Sequence, residues 1–293
     1  MTRTIKILLQ TTTPAEENNW STRSFSLLAD HLASLRSEEC RFEVTVRDRE
    51  TAPGQDDAVL SGLDRSSYEQ LWLFALDGGE GLTRADCDGI LRFHRRGGGI
   101  LAARDHQDMG TSLCALGRIG AAHHFHSSHP EADPERLCRD DEGTPTISWP
   151  NYHSGRNGDY HRIARLEPES ELLRNPRSPS GWIEFFPSHP HEGAIGAPPG
   201  EDARVIAMGT SQSTGRSFNL VVAFESKEVD GARLGRGIAE SSFHHFADYN
   251  WDTSRGCPSF VTEPEGDGMK REPRALDDIR QYVRNVAFWL GPS

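Results

Sequence analysis

The chain has 293 residues, 35% of them hydrophobic, a formal net charge of −12 and a pI near 5.5. That length allows one large domain or two small ones with a substantial core, and the clustering of the apolar residues excludes disorder for most of the chain. The acidic balance repels phosphate backbones and anionic lipid, so general nucleic-acid or membrane-surface binding is excluded.

A small-molecule substrate is the expected partner, and a homo-oligomer is compatible with the composition. The opening MTRTIKILLQTTT lacks the long apolar core and small-residue cleavage site of a signal peptide, and no apolar run reaches the length of a membrane span. The five cysteines (Cys40, Cys87, Cys114, Cys138 and Cys257) are odd in number and form no C-x-x-C pair. That usage predicts a reduced, cytoplasmic protein.

In chain order, Ile5 to Gln10 (IKILLQ) reads as a buried first strand. Ser21 to Leu35 carries Phe25, Leu27, Leu28, Leu32 and Leu35 at helical spacing. Phe42 to Val46 alternates as a strand does, and Tyr68 to Leu76 (YEQLWLFAL) is another buried strand. Thr83 opens a helix as its cap, with Asp86 completing a capping-box pair and Gly97 to Gly99 ending it. Ile100 to Ala103 is the next strand, followed by a helix expected over about 108–116. From about 120 to 200 the regularity fades into a stretch rich in Pro, Gly, His, Ser and Asn, too long for an ordinary loop. Strands return at Arg204–Met208, Phe218–Phe224 and Gly235–Ser241, and Leu276 to Leu290 closes the chain as a helix. This alternation predicts an α/β fold, a flavodoxin-like, doubly wound, mostly parallel sheet with a long irregular insertion. The expected organisation is a single domain over residues 1–293 with a site-forming insertion at about 120–200.

Eleven of the thirteen histidines lie between His106 and His245. They cluster in RDHQD (Arg104–Asp108), HHFHSSHP (His123–Pro130), HPHEG (His189–Gly193) and FHHFADYNWD (Phe243–Asp252), and NYHSGRNGDYH (Asn151–His161) adds further polar groups. Each cluster falls at a strand end or in the irregular stretch, and the carboxyl ends of strands form the ligand crevice of open α/β sheets. GGGILAARDH runs from a glycine stop through a buried strand into a sharp turn, the place where α/β enzymes expose a nucleophile. A helix N-terminus after it would offer N–H groups to an anion.

GGGILAARDH resembles the elbow region of the class I glutamine amidotransferase-like superfamily, in which a Gly-rich link leads to an apolar strand and a cysteine often stands at the elbow. Matched by strand end, Asp105 takes the place of that cysteine and His106 follows it. GRGIAESSFHH resembles the late strand that delivers the amidotransferase histidine, which maps to His244 or His245. The segments most resemble the trehalose-utilisation-protein-like (ThuA-like) branch, which similarly lacks the cysteine and pairs a GGG-strand motif with a late strand ending in histidine. Cys114 falls beyond the elbow, so glutamine hydrolysis by a thiolate is set aside. The resemblance implies a glutamine-amidotransferase-like domain and a carbohydrate-related substrate.

Metal binding offers an alternative chemistry. His189-x-His191 and His124-x-His126 can each place two imidazoles on one face of an extended segment. Imidazoles with a carboxylate suit zinc, with iron or manganese as alternatives, and such an ion lowers the pKa of a bound water toward neutrality. The candidate ligands are His106, His126, His189, His191 and His245. The candidate catalytic residues are Asp105, His106, Glu192, His244 and His245, with Asp248 or Asp252 as alternative carboxylates. Arg104, as a carboxylate clamp or as the partner of Asp105 or Asp108, joins His153, Arg156, Asn157, Asp159 and Asn250 as candidate substrate-binding residues. Trp149, Tyr152, Tyr160, Trp182, Tyr249 and Trp251 serve either as stacking platforms or as core, and GTSQSTGR (Gly209–Arg216) reads as a polar turn between strands.

The leading expectation is a metal-dependent hydrolase acting on a small polar molecule. The alternatives are a metal-free Asp–His hydrolase or lyase, and a non-catalytic ligand-binding domain that lacks the amidotransferase cysteine.

Overall fold

The first strand, β1 (Arg3–Thr11), pairs in parallel with both β2 (Cys40–Arg47) and β3 (Gln70–Phe74). The computed structural model describes residues 2–134, 136–137, 140, 144 and 146–291, so Cys138 lies outside the described residues. β4 (Gly99–Ala103), β5 (Ala164–Arg165), β6 (Ala203–Thr210), β7 (Ser217–Phe224) and β8 (Gly237–Glu240) complete an eight-stranded sheet in the order β2-β1-β3-β4-β8-β7-β6-β5. The first five in that order are parallel and follow the flavodoxin-like pattern, with β8 as the fifth. The last three extend the sheet antiparallel.

These parallel strands are apolar on both faces because helices cover both. Ile7 and Leu9 of β1, Trp72 and Phe74 of β3 and Leu101 of β4 face α1 (Ser26–Ser34) and the C-terminal helix, sharing a core with Leu28, Leu32, Ile279, Val283 and Val286. Leu8, Leu71, Leu73 and Ile100 face the other side, where α2 (Arg84–Arg95) packs Ile90 and Phe93. The C-terminal helix, α3, spans Pro273–Trp289 and starts with its proline in the first turn, where the missing N–H costs nothing. α2 begins with the expected Thr83–Asp86 capping box.

The Ser21–Leu35 pattern resolves into a 3-10 turn, Thr22–Phe25, followed by α1. The helix expected over 108–116 does not form. Gly110 and Gly117 sit at φ of 89° and 53°, which divides the segment into a 3-10 turn (Thr111–Ala115) and a four-residue turn (Gly117–Gly120). The anion-binding helix end expected after the elbow is therefore absent. Within 120–200, His123–His124 pairs with Ala194–Ile195, and Tyr160–Arg162 pairs with Phe185–Pro187. Among the described residues no helix is long and apolar enough to cross a membrane, and Cys40, Cys87, Cys114 and Cys257 are free thiols.

One glycine decides how the irregular segment meets the sheet. A Cβ at Gly193 would lie 2.6 Å from the Asp105 carbonyl oxygen, 2.7 Å from that of Ser241 and 2.8 Å from Arg104 Nε. HPHEG therefore packs against the carboxyl ends of β4 and β8 at a point that admits no side chain, held there by Gly193 N–H donating to the Ser241 carbonyl at 3.1 Å. Gly193→Ala is expected to destabilise the fold by about 1–3 kcal/mol, the usual cost of overpacking, whereas Gly78→Ala, where nothing lies within 4 Å of the added Cβ, should stay within about 0.5 kcal/mol. Denaturant unfolding of the two variants checks this.

The end of α2 holds a buried neutral imidazole. His94 Nδ1–H donates to the Gly98 carbonyl at 2.9 Å, and His94 Nε2 accepts from Arg118 Nε–H at 3.3 Å. Burial, reinforced by Arg118 and opposed by the Gly98 carbonyl, lowers the imidazole to about 4. In the unfolded chain it titrates near 6.5, so its stabilisation is complete above that pH and is lost as pH falls toward 4. Between those limits His94 is expected to account for about 3 kcal/mol of acid destabilisation. Unfolding free energies of wild type and His94→Gln should therefore converge by that amount from pH 7 to pH 4.

Candidate functional site

The β4–β8 register brings the two motif segments together. Ala103 lies beside Glu240, and the pairing runs on past the strand ends as Phe243 N–H donates to the Arg104 carbonyl at 2.7 Å. Asp105 and His244 thus emerge side by side above the sheet. HPHEG, packed against both segments at Gly193, adds His189 and His191. These side chains line a cavity of about 380 Å3 together with His106, Asn157, Glu263 and Trp20, and apolar Met109, Ile147, Phe260 and Val261 form much of the remaining wall.

Asp105, His189 and His244 are all buried and can bring one ligand atom each within 4.8 Å of the others. His189 Nε2 lies 3.2 Å from Asp105 Oδ1, and His244 Nε2 lies 3.7 Å from Asp105 Oδ2. The two imidazoles stack with centroids 3.6 Å apart, and the Trp20 edge meets the His244 ring at 4.9 Å. Burial would raise the Asp105 carboxyl, but the imidazoles of His106, His189 and His244 hold it well below the usual carboxylate range. Burial, helped by His244, pushes His189 well down.

Hydrogen bonds fix which nitrogen of each ring carries the proton. Asn250 Nδ2 donates to the Ser188 carbonyl at 2.8 Å and to Asn157 Oδ1 at 2.9 Å. Because a backbone carbonyl only accepts, this contact settles which end of the Asn250 amide is nitrogen. Asn250 Oδ1 then faces His244 Nδ1 at 3.1 Å, and Asn157 Oδ1 faces His189 Nδ1 at 2.9 Å. Both Nδ1 atoms are donors, so in the neutral rings both Nε2 lone pairs point at Asp105. His189 Nε2 and Asp105 Oδ1 are buried with no hydrogen-bond partner among the described residues. Two acceptors facing each other at 3.2 Å form an arrangement that a cation between them would relieve.

Around this centre, His106 Nδ1 lies 3.0 Å from Asp105 Oδ2, and its ring is a quarter exposed. Gln107, two residues past Asp105, takes up the left-handed turn at φ 46°. His191 Nδ1 lies 2.8 Å from Asn151 Oδ1, and its Nε2 lies 3.1 Å from Glu263 Oε1. Burial lowers His191 and the Glu263 contact opposes it.

A second group lies beneath the cavity wall. His245 turns inward, with Nε2 3.2 Å from Glu192 and Nδ1 3.2 Å from Glu240 Oε2. Glu192 also accepts from Ser154 Oγ and Ser241 Oγ, each at 2.8 Å, and Glu240 accepts from the Tyr282 hydroxyl. Burial opposes charge on His245, but Glu192 and Glu240 outweigh it and raise the ring to about 10. His245 in turn outweighs burial at Glu192 and lowers it to about 2. Glu192 and His245 are thus separated from His189 and His244 and do not line the cavity.

Several sequence candidates lie elsewhere. His126 is exposed and contacts Ser148, and His124 meets Glu131 and His129, so the HHFHSSHP cluster contributes nothing to the cavity. Arg104 is buried with its guanidinium over the Phe125 ring and donates to the carbonyls of His124, Gln107 and Ala194. It holds three loops together through these carbonyls and does not line the cavity. His153 lies off the cavity, with its backbone N–H on Asp140. Arg156 is exposed and absent from the lining. Asp159 accepts from Gly268 N–H, Asp248 caps α1 through Ser26 and Leu27, and Asp252 accepts from Ser254. Asn250 is buried behind His244 as the anchor described above. Trp149, Tyr152, Tyr249 and Trp251 are buried in core, as Tyr152 is by stacking on Phe218 at 4.9 Å, while Tyr160 and Trp182 are half-buried at its edge. Trp20, Phe260, Val261 and Glu263 come from loops without periodic patterning, whereas Met109 carries the helical spacing of the 108–116 segment that does not form a helix. Glu240 and Tyr282 had one usable signal, the polar residue at the end of the GRGIAE strand.

No protein-family model and no curated protein matches the chain. Among solved structures, a ThuA-like protein from Parabacteroides merdae superimposes with a TM-score of 0.52 at 14% identity, over 98% of this chain and 90% of that one. The glutaminase domain of CTPS from Trypanosoma brucei, with bound acivicin, gives a TM-score of 0.45 at 10% identity, over 99% and 98%. The chain shares its fold with the ThuA-like protein. At that identity the likeness concerns the fold alone.

Asn250→Ala removes a partner from Ser188, Asn157 and His244 at once. It is expected to destabilise the protein by about 1–3 kcal/mol and to release both ring tautomers. Ring 15N chemical shifts should show a protonated Nδ1 at His189 and His244 in the wild type, and mixed tautomers in the variant.

Proposed function

We propose that the chain is a metal-dependent enzyme, a hydrolase of small polar molecules, with Asp105, His189 and His244 holding a divalent transition-metal ion at the cavity floor. The observation that supports this most is the pair of Nε2 lone pairs, set by Asn157 and Asn250, that face the Asp105 carboxylate: His189 at Oδ1, which has no hydrogen-bond partner among the described residues, and His244 at Oδ2. Histidine ligands commonly donate their other N–H to an oxygen acceptor, which fixes ring orientation. Two imidazoles and a carboxylate suit zinc, iron or manganese. Bound there, such an ion would act as a Lewis acid and lower the pKa of a water it holds.

The chain's own residues supply the rest of the reading. His106 reaches the cavity from the elbow, and the His191–Glu263 pair stands on the wall. Either can accept or return a proton at an imidazole nitrogen. Trp20, Met109, Ile147, Phe260 and Val261 limit water access, and the volume suits a molecule of about sugar size. The shared ThuA-like fold favours a carbohydrate-related substrate by analogy. A metal-free Asp105–His106 acid–base pair is the second reading, favoured by their 3.0 Å approach.

Protein expressed in metal-replete medium is expected to retain an ion that Asp105→Asn and His244→Ala each fail to hold. Turnover of a panel of chromogenic glycosides and lactones should disappear with chelator and return with metal. Metal-free protein that still turns over substrate would establish the second reading instead.

A further inference from the structure

We propose a second, closed metal site beneath the cavity, in which His161, Glu192 and His245 hold another divalent transition-metal ion. The three side chains are buried and can bring one ligand atom each within 4.8 Å of the others. None of them lines the cavity. The site differs from the one assigned to the reaction in both ligands and surroundings, and does not depend on that assignment.

The His161 ring is buried, and neither Nδ1 nor Nε2 has a hydrogen-bond partner among the described residues. Leaving a buried polar ring unsatisfied costs stability, so a partner at one of its nitrogens would stabilise the fold. An ion pair between His245 and its two carboxylates accounts for His245, Glu192 and Glu240 and leaves His161 unexplained. A metal ion would engage one nitrogen of His161 together with Glu192 and His245, with Glu240 behind His245. His245 Nε2 and Glu192 stand 3.2 Å apart, close to the separation expected of two ligands each about 2 Å from one tetrahedral ion. Behind them the supporting contacts are those a metal centre uses. His245 Nδ1 faces Glu240 Oε2 at 3.2 Å, Glu240 is held by the Tyr282 hydroxyl, and Glu192 accepts from Ser154 Oγ and Ser241 Oγ. A carboxylate behind the distal nitrogen of a ligating histidine is the usual support of such sites.

An unpartnered imidazole is not enough by itself. His123 is also buried and has no hydrogen-bond partner at either nitrogen among the described residues. It belongs to neither set of converging ligand atoms. What distinguishes His161 is the second imidazole and the carboxylate that meet it. The role that fits a closed site is structural, a clamp joining the strand of His161 to the HPHEG segment and to the turn after β8.

Metal content and Zn2+ titration of the full chain test this. Wild type is expected to bind two equivalents. His161→Gln should bind one, still removable by Asp105→Asn, and Glu240→Gln should weaken the buried equivalent about tenfold to a hundredfold. Anomalous scattering at the zinc edge from wild-type crystals should show a peak between His161, Glu192 and His245, a readout that needs no variant to fold. Two equivalents in both wild type and His161→Gln, or density for water alone beside His161, would overturn the buried site. One equivalent lost with His161→Gln but kept in Asp105→Asn would uphold it while removing the cavity metal. One equivalent lost with Asp105→Asn but kept in His161→Gln would do the reverse.

Discussion

The Ser188 carbonyl, a single backbone acceptor, sets the chemistry of the cavity. It takes a hydrogen bond from Asn250, and that contact orients two amides and through them two imidazoles. Without it the amides could turn over, the Nδ1 atoms could lose their protons, and the Nε2 lone pairs would no longer be aimed at Asp105. Ser188 precedes His189 in the segment packed against the ends of β4 and β8. The acceptor that sets the tautomers is thus carried by the same stretch of backbone that delivers the first histidine. That close packing requires Gly193, and the β4–β8 register decides which residues it meets. Positioning and electronic state therefore have a common origin.

The central fold was legible in the sequence because parallel strands covered on both faces must be apolar throughout. IKILLQ, YEQLWLFAL and GGGILAA had to be strands of a covered sheet, and Thr83 with Asp86 had to start a helix. The segment after the elbow was misread because Met109, Leu113 and Leu116 have helical spacing, while Gly110 and Gly117 adopt left-handed conformations that break it. Hydrophobic spacing outlasted the helix it implied. The short strands between 120 and 200 carry no signal of their own, since each pair is only two or three residues long and is held by tertiary packing.

The candidate site was partly legible for a different reason. Asp105, His189, His191 and His244 stand in motifs rich in chemistry, and the geometry gathers them around one cavity. The motifs did not reveal direction. RDH suggested Arg104 as a substrate clamp, yet the alternation of the backbone sends it under the loops while Asp105 emerges above. HHFHSSHP matched HPHEG in composition, but it pairs on the far side of Arg104 and stays away from the cavity. Direction depends on dihedral angles and register, which composition does not encode.

The same alternation has a mechanical consequence. His191 and Glu192 are neighbours, as are His244 and His245, and in each pair one side chain lines the cavity while the other points into the protein. The partition between the two polar clusters is one residue thick at both places. Strain on either side therefore crosses it through a single α-carbon, with no intervening layer of soft side chains to absorb it. The inward pair, Glu192 with His245, joins the two segments beneath that partition.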